Sequence, residues 1–313
     1  MSDLFIGVDG GGTHTRAVVA GADLVPKGRG SAGPANAATR SLPRVVQAVT
    51  EAVADAAEHA GIEPAAAAFV ACGLAGIEAA GIGPRVTETL EEHYGRGKVL
   101  VTHDARIALA GALEGPVDSP GVVLIAGTGA IVFGRGANGA EGRTGGWGPV
   151  LGDEGSGYAI ARKGLAAVVR DLDGRGPRTL IRDLLFASEG LKTSDELLQR
   201  IYRTDGGPGD VAAYFPIVLK AARERDAEAL RILDEAVEEL ALAVITLVRK
   251  LKLEGESFGV ATVGGVFSAG GLILAPLKAR VQAVAPGARL HPPAFPPEMG
   301  AIRLALARLA TPR

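Results

Sequence analysis

Leu4-Phe5-Ile6-Gly7-Val8-Asp9-Gly10-Gly11-Gly12-Thr13-His14-Thr15-Arg16-Ala17-Val18-Val19 is the stretch on which the fold turns. An apolar run ends at Asp9, a glycine cluster follows, and alternation resumes through Thr15, Ala17 and Val19. That order predicts strand, glycine turn, strand. The pattern restarts at Gly121-Val122-Val123-Leu124-Ile125-Ala126, which runs into Gly127-Thr128-Gly129 and alternates again at Ile131 and Phe133. Two copies about 115 residues apart point to an internal duplication, each copy founding one domain.

Working outward, Leu42 to Ala60 carries Val45, Val49, Val53 and Ala57 at helical spacing. A strand near Phe69–Leu74, a helix near Pro84–Tyr94 and a strand Lys98–Thr102 follow, and Ala105–Leu113 reads as a helix after His103-Asp104. The second half is mostly helical. Its longest helix, Ala227 to Lys252, has a core stripe at Leu230, Leu233, Val237, Leu240, Val244, Leu247 and Leu251. A strand Phe258–Val263 leads into Gly264-Gly265-Val266, a helix spans Leu272–Val284, and a last helix covers Pro297–Leu309. This alternation argues for an α/β fold. The expected domains are 1–117 and 118–313, with the last helix able to pack back on the first.

Bulk properties narrow the partners. With 313 residues the chain is long enough for two domains. Its 35 acidic and 33 basic residues nearly cancel, so neither a nucleic-acid nor an anionic-membrane surface is expected. The single cysteine, Cys72, closes no internal disulfide and supplies no iron–sulfur or thiolate zinc site by itself. A buried place in its strand is expected. Without a signal segment or a long apolar window, the expected location is cytoplasmic. The 45 glycines fall in short clusters, which suggests tight turns approaching a ligand.

Several residues carry candidate chemistry. Gly10, Gly11 and Gly12 leave backbone N–H groups uncovered to converge on an anion, and Thr13 adds a hydroxyl. Asp9 suits Mg²⁺, held through water; a plain hairpin turn is the other reading. No Walker or dinucleotide fingerprint occurs, so the nest must be a hairpin tip. Gly127-Thr128-Gly129 gains value as the second copy, since two facing tips can hold a polyphosphate. Gly145-Gly146-Trp147-Gly148-Pro149-Val150-Leu151-Gly152-Asp153-Glu154-Gly155-Ser156-Gly157 is the densest feature. It is either a connection anchored by a buried Trp147 or a site loop in which Asp153 is the likelier sugar contact. Asp104 stands between a helix N-cap and a base that accepts a proton during phosphoryl transfer. Asn36 can pair with hydroxyls or serve a turn. Arg223-Glu224-Arg225-Asp226 reads as a solvated helix end, and the five histidines show no metal spacing.

Together these segments, with Pro297-Glu298-Met299-Gly300-Ala301, resemble the N-acetylglucosamine kinase-like branch of the actin/hexokinase/Hsp70 ATPase superfamily. The resemblance implies two ribonuclease-H-like domains flanking a nucleotide and sugar cleft. It implies Gly11, Gly12, Thr13, Gly127, Thr128 and Gly129 around ATP phosphates, and Gly264 and Gly265 at the adenosine. Asp104 would be the base on the 6-hydroxyl of N-acetylglucosamine or glucosamine. Asn36, Thr128, Gly146, Trp147 and Asp153 would line the sugar, with Thr144 near its 2-substituent. Asp9 would hold Mg²⁺. The expected partners are the sugar and ATP, in a homodimer. Relatives that pass electrons through a bridging iron–sulfur cluster, or use a cysteine-rich zinc site, need cysteines this chain lacks. An ammonium at the 2-position would want a carboxylate, from Glu154 or another acid. Muramic-type sugars, other hexoses and a non-catalytic sensor are the alternatives.

Overall fold

The computed structural model describes residues 3–202 and 207–310. Two compact units divide the chain: Met1–Val123 with Pro292–Arg313, and Leu124–His291. The expectation is domains of 1–117 and 118–313, with the last helix able to pack back on the first. The boundary lies after Val123, and the C-terminal segment belongs to the first unit.

In chain order the elements are β1 (Leu4–Gly10), β2 (Thr15–Gly21), β3 (Pro26–Ala32), α1 (Leu42–Ala60), β4 (Phe69–Leu74), α2 (Ile77–Ala80), α3 (Gly83–Tyr94), β5 (Val99–His103) and α4 (Asp104–Ala112). Then come β6 (Gly121–Ala126), β7 (Ala130–Arg135), β8 (Glu141–Gly145), α5 (Gly157–Leu172), α6 (Leu180–Glu189), α7 (Ser194–Tyr202), α8 (Pro208–Ala212) and α9 (Phe215–Arg223). The chain closes with α10 (Ala227–Lys250), β9 (Phe258–Val263), α11 (Gly271–Val284), β10 (Ala288–His291) and α12 (Pro297–Ala310).

The first sheet runs β3-β2-β1-β4-β5 and the second β10-β9-β6-β7-β8. Read in chain order, the two sheets have the same strand arrangement, as a duplicated unit requires. In the first, β1 pairs antiparallel with β2 and parallel with β4, and β4 pairs parallel with β5. The second has an antiparallel β7–β8 pair and a parallel β9–β10 pair. This is the actin-like ATPase architecture of two ribonuclease-H-like domains.

Both faces of β1 are covered, which is why it reads as one apolar run instead of an alternating one. Ile6 and Val8 pack with Val45, Val49 and Val53 of α1, while Phe5 packs with Met299 and Ile302 of α12. Cys72 is buried on the α1 side of β4. In α10 the stripe Leu233, Val237, Leu240, Val244 and Leu247 is buried, and Leu230 is half-buried.

The periodicity reading passes over three strands. β3 is Pro-Lys-Gly-Arg-Gly-Ser-Ala, a composition that signals a turn. Its glycines lie flush on α1: a Cβ at Gly28 or Gly30 would come within 2.2 Å of the Ala56 carbonyl or 2.3 Å of the Ala52 carbonyl. β8 (Glu-Gly-Arg-Thr-Gly) and the four-residue β10 are likewise too short or polar to stand out. Arg223-Glu224-Arg225-Asp226 also needs correction at its last residue. Asp226 caps α10 by accepting the Ala229 N–H at 2.8 Å, and it accepts from Thr179 Oγ1 and the Leu180 N–H. The first three residues are exposed as expected.

The last helix joins the first unit through backbone contact. A Cβ at Gly7 would lie 1.9 Å from the Glu298 carbonyl oxygen, and one at Gly300 would lie 2.0 Å from the Ile107 carbonyl of α4. Arg303 reinforces the seam by donating to the carbonyls of Ala110, Leu113 and Gly115. Gly7→Ala must separate β1 from α12. It should destabilise the protein by about 1–3 kcal/mol or more, the usual cost of overpacking, read by urea unfolding. A change below about 0.5 kcal/mol, ordinary for an unconstrained surface site, would mean that this contact is slack.

Candidate active site

The candidate residues assemble separately in each unit. In the first, β1 and β2 meet at a tip closed by the Gly11 N–H donating to the His14 carbonyl at 3.0 Å. Gly12, Thr13 and His14 stand exposed on it. Ala35 donates its N–H to the Gly11 carbonyl, which draws the following loop onto the tip. Asn36 then sits with its Nδ2 against Gly12, and its Oδ1 accepts the Ala38 N–H at 2.9 Å. Turn chemistry therefore uses one end of this amide and leaves the other facing the glycine tip.

Asp104 begins α4 but does not cap it. The cap is His103, whose Nδ1 accepts the Arg106 N–H at 3.2 Å, so the N-cap reading of Asp104 fails on geometry. Asp104 is the first helical residue, at the C-terminal end of β5, and its Oδ1 accepts the Ala105 N–H. Such strand ends are where open α/β sheets bind ligands. Desolvation raises its pKa above the usual carboxylate range, against the lowering effect of the Ala105 N–H and His103.

Asp9 lies on the face of β1 that α12 covers, two residues on from Gly7. Its pKa is raised to about 7, first by desolvation, then by the charges of Asp104 and Glu298, with Arg16 pulling it back. Three carboxylates therefore crowd one end of this sheet. Hard oxygen donors with excess negative charge suit a divalent cation. Among the described residues no group of three or more His, Cys, Asp or Glu is placed to hold a metal ion. Glu298 enters the sequence reading only within the Pro297–Ala301 segment, and no site role follows from it there, because its partner Arg29 lies at the opposite end of the chain.

In the second unit three glycine motifs converge. The Gly127 N–H donates to the Gly129 carbonyl, while the Gly127 and Thr128 carbonyls accept the N–H groups of Gly157 and Tyr158 at the start of α5. Ser156 caps that helix by accepting the Ala159 N–H. The Gly127–Gly129 turn is thus seated on a helix N-terminus, whose dipole favours an anion. Gly264, at φ +117°, lies so close that a Cβ would come within 2.3 Å of the Ala126 carbonyl. Gly265 beside it is exposed.

The Gly145–Gly157 run closes this half. Gly146 turns at φ +70°, packed against Ile131, and Gly145, Gly148 and Gly155 also have positive φ. Asp153 has φ +61°, a strained value for a side-chain-bearing residue, and is buried. Its Oδ1 accepts the Ala130 N–H at 3.2 Å and its carboxylate lies against Gly129; burial raises its pKa. The buried-anchor reading of Trp147 does not hold, since the residue is 63% exposed, with the Arg143 guanidinium 4.6 Å above its ring. Trp147, Thr144, Glu154 and Glu239 share a cavity of about 240 Å³ with Leu240 and Ala243. Thr144 Oγ1 donates to the Ala243 carbonyl at 2.7 Å, so only its lone pairs remain for a ligand.

A family model, the BadF/BadG/BcrA/BcrD ATPase family, matches residues 6–305. The chain belongs to this family. Among relatives, the N-acetylmuramic acid/N-acetylglucosamine kinase of Clostridium acetobutylicum is 31% identical over 263 residues, 84% of this chain and 85% of that protein. The N-acetyl-D-glucosamine kinase of Dictyostelium discoideum is 28% identical over 322 residues, covering 97% and 98%. A solved structure of a Chromobacterium violaceum protein assigned as an N-acetylglucosamine kinase superposes with a TM-score of 0.75 at 25% identity, over 97% of this chain and 99% of that one. Among the described residues no helix is long and apolar enough to cross a membrane.

The first glycine turn thus sits beside an aspartate whose pKa burial raises. Asp9 ionises near 3.8 in an unfolded chain and near 7 in the folded one. Between those values the folded state keeps a proton the unfolded state has lost, so stability falls as pH rises through this window and levels off above it. In metal-free buffer, Asp9→Asn should remove that slope and gain on wild type as pH rises from 4 to 7. Parallel urea-unfolding profiles for the two proteins would show that Asp9 is not desolvated.

Proposed function

We propose that the protein is an ATP-dependent amino-sugar kinase that phosphorylates the 6-hydroxyl of N-acetylglucosamine or glucosamine. The observation that carries this reading is the state of Asp104. Its carboxylate stands at a strand end and the helix cap is supplied by His103. Burial raises its pKa, which makes the carboxylate a stronger proton acceptor. The names of the family relatives support an amino sugar as the substrate class.

In this reading Asp104 takes the proton from O6 as that oxygen attacks the γ-phosphorus, and ADP leaves. At the first tip, whose turn Gly11 closes, the Gly12 N–H and the Thr13 hydroxyl receive phosphate oxygens. Gly127, Thr128 and Gly129 receive others, helped by the N-terminus of α5. Gly264 and Gly265 border the adenosine. Asn36, Thr128, Gly146, Trp147 and Asp153 orient the sugar, with Thr144 beside the 2-substituent. Asp9 would hold Mg²⁺ through water, and the ion would supply positive charge that neutralises the phosphates.

ADP release with a panel of hexosamines, and mass spectrometry of the product, tests the proposal. Phosphate on O6 of N-acetylglucosamine or glucosamine is the expected result. Turnover confined to other hexoses or to N-acetylmuramic acid would move the substrate. Sugar binding without sugar-stimulated ADP would make the protein a sensor. Asp104→Asn should lower turnover by about 10²–10⁴ while sparing sugar affinity; near-normal turnover would remove Asp104 from the role.

A further inference from the structure

We propose that Glu298, in the first turn of α12, is a further carboxylate of the cation site, acting beside Asp9 on the hydrated divalent cation that accompanies ATP. The inference rests on the reading of Asp9 above and extends it to a residue outside the glycine motifs.

Glu298 is 4% exposed, the only glutamate among the buried polar residues described. Arg29 Nη1 donates to its Oε1 at 3.2 Å, and Oε2, also buried, has no hydrogen-bond partner among the described residues. An unpaired buried carboxylate oxygen is costly, and a glutamine or an apolar side chain there would avoid the cost. A carboxylate in a first helical turn is favoured by the dipole, but that does not explain why one oxygen lacks a partner.

Position supplies the explanation. The backbone of Glu298 presses on Gly7, and Asp9 projects from the same face of β1 one pleat further on. Arg29 neutralises Glu298 from the exposed side only, its own side chain being 59% exposed. The remaining oxygen is buried without a partner, in a residue packed on the face of β1 that also carries Asp9, and a divalent cation would turn the repulsion of two such carboxylates into attraction. Glu298 acts through the ion's water, as outer ligands of metal sites do.

The test is Mn²⁺ binding to the full chain saturated with ADP, followed by the electron paramagnetic resonance of free Mn²⁺. Glu298→Gln should weaken Mn²⁺ affinity about tenfold, in the range for outer-shell metal partners. Arg29→Gln breaks the ion pair but keeps the carboxylate, so it should leave the affinity unchanged or tighten it. Asp9→Asn tests the underlying reading and should weaken binding at least as much. If Asp9→Asn binds Mn²⁺ as wild type does, the Asp9 reading fails and this inference with it. If Asp9→Asn is impaired while Glu298→Gln is not, only the inference fails. Equal losses in Glu298→Gln and Arg29→Gln would make Glu298 a structural partner of Arg29 and nothing more. Turnover is not needed for any of these readings.

Discussion

Carboxylates gathered where water is scarce constrain the first unit more than any other interaction. Burial, with the charges of Asp104 and Glu298, raises the pKa of Asp9 to about 7, and burial also raises that of Asp104. Such an arrangement lasts only if the surrounding backbone is held firmly. Here α12 rests on bare backbone at Gly7, and Gly300 rests on α4. Arg303 closes the seam with three carbonyls. The energy of that packing keeps the acids together against their repulsion. A cation or a proton relieves them, and the proposed chemistry supplies the cation with each nucleotide.

The two units build their glycine turns by different local means on the same strand plan. In the first, a hairpin tip offers exposed N–H groups and a threonine, backed by Asn36. In the second, a glycine turn is hydrogen-bonded to the first residues of α5, so a helix dipole stands behind it. The second unit also holds strain. Asp153 keeps a left-handed backbone conformation, and its buried carboxylate is used to hold Ala130 and face Gly129. Strain of this kind concentrates where a structure serves a ligand.

Helix capping separates residues that look equivalent in the sequence. His103 and Ser156 take the caps of α4 and α5. Asp104 is thereby spared a structural duty, whereas Asp226, in a segment that looks solvated, spends its carboxylate on a cap and two further bonds. Trp147 shows the same division: a lone tryptophan among glycines suggests an anchor, yet it is exposed and covered by Arg143.

The sequence by itself determined the duplicated strand–turn–strand units, the apolar helices α1 and α10, the buried Cys72 and the order of the glycine motifs. These follow from local periodicity and from residues whose backbone freedom is visible in their identity. Only the tertiary structure decided that β3 is a strand, because its glycines answer to a helix more than twenty residues later in the chain. It also decided that His103 caps α4, and that α12 returns to the first unit, bringing Glu298 against β1. Arg29 and Glu298 stand 269 positions apart, and no periodic pattern spans that distance. Burial and charge at a site are sums over neighbours from the whole chain, so they exist only once it has folded.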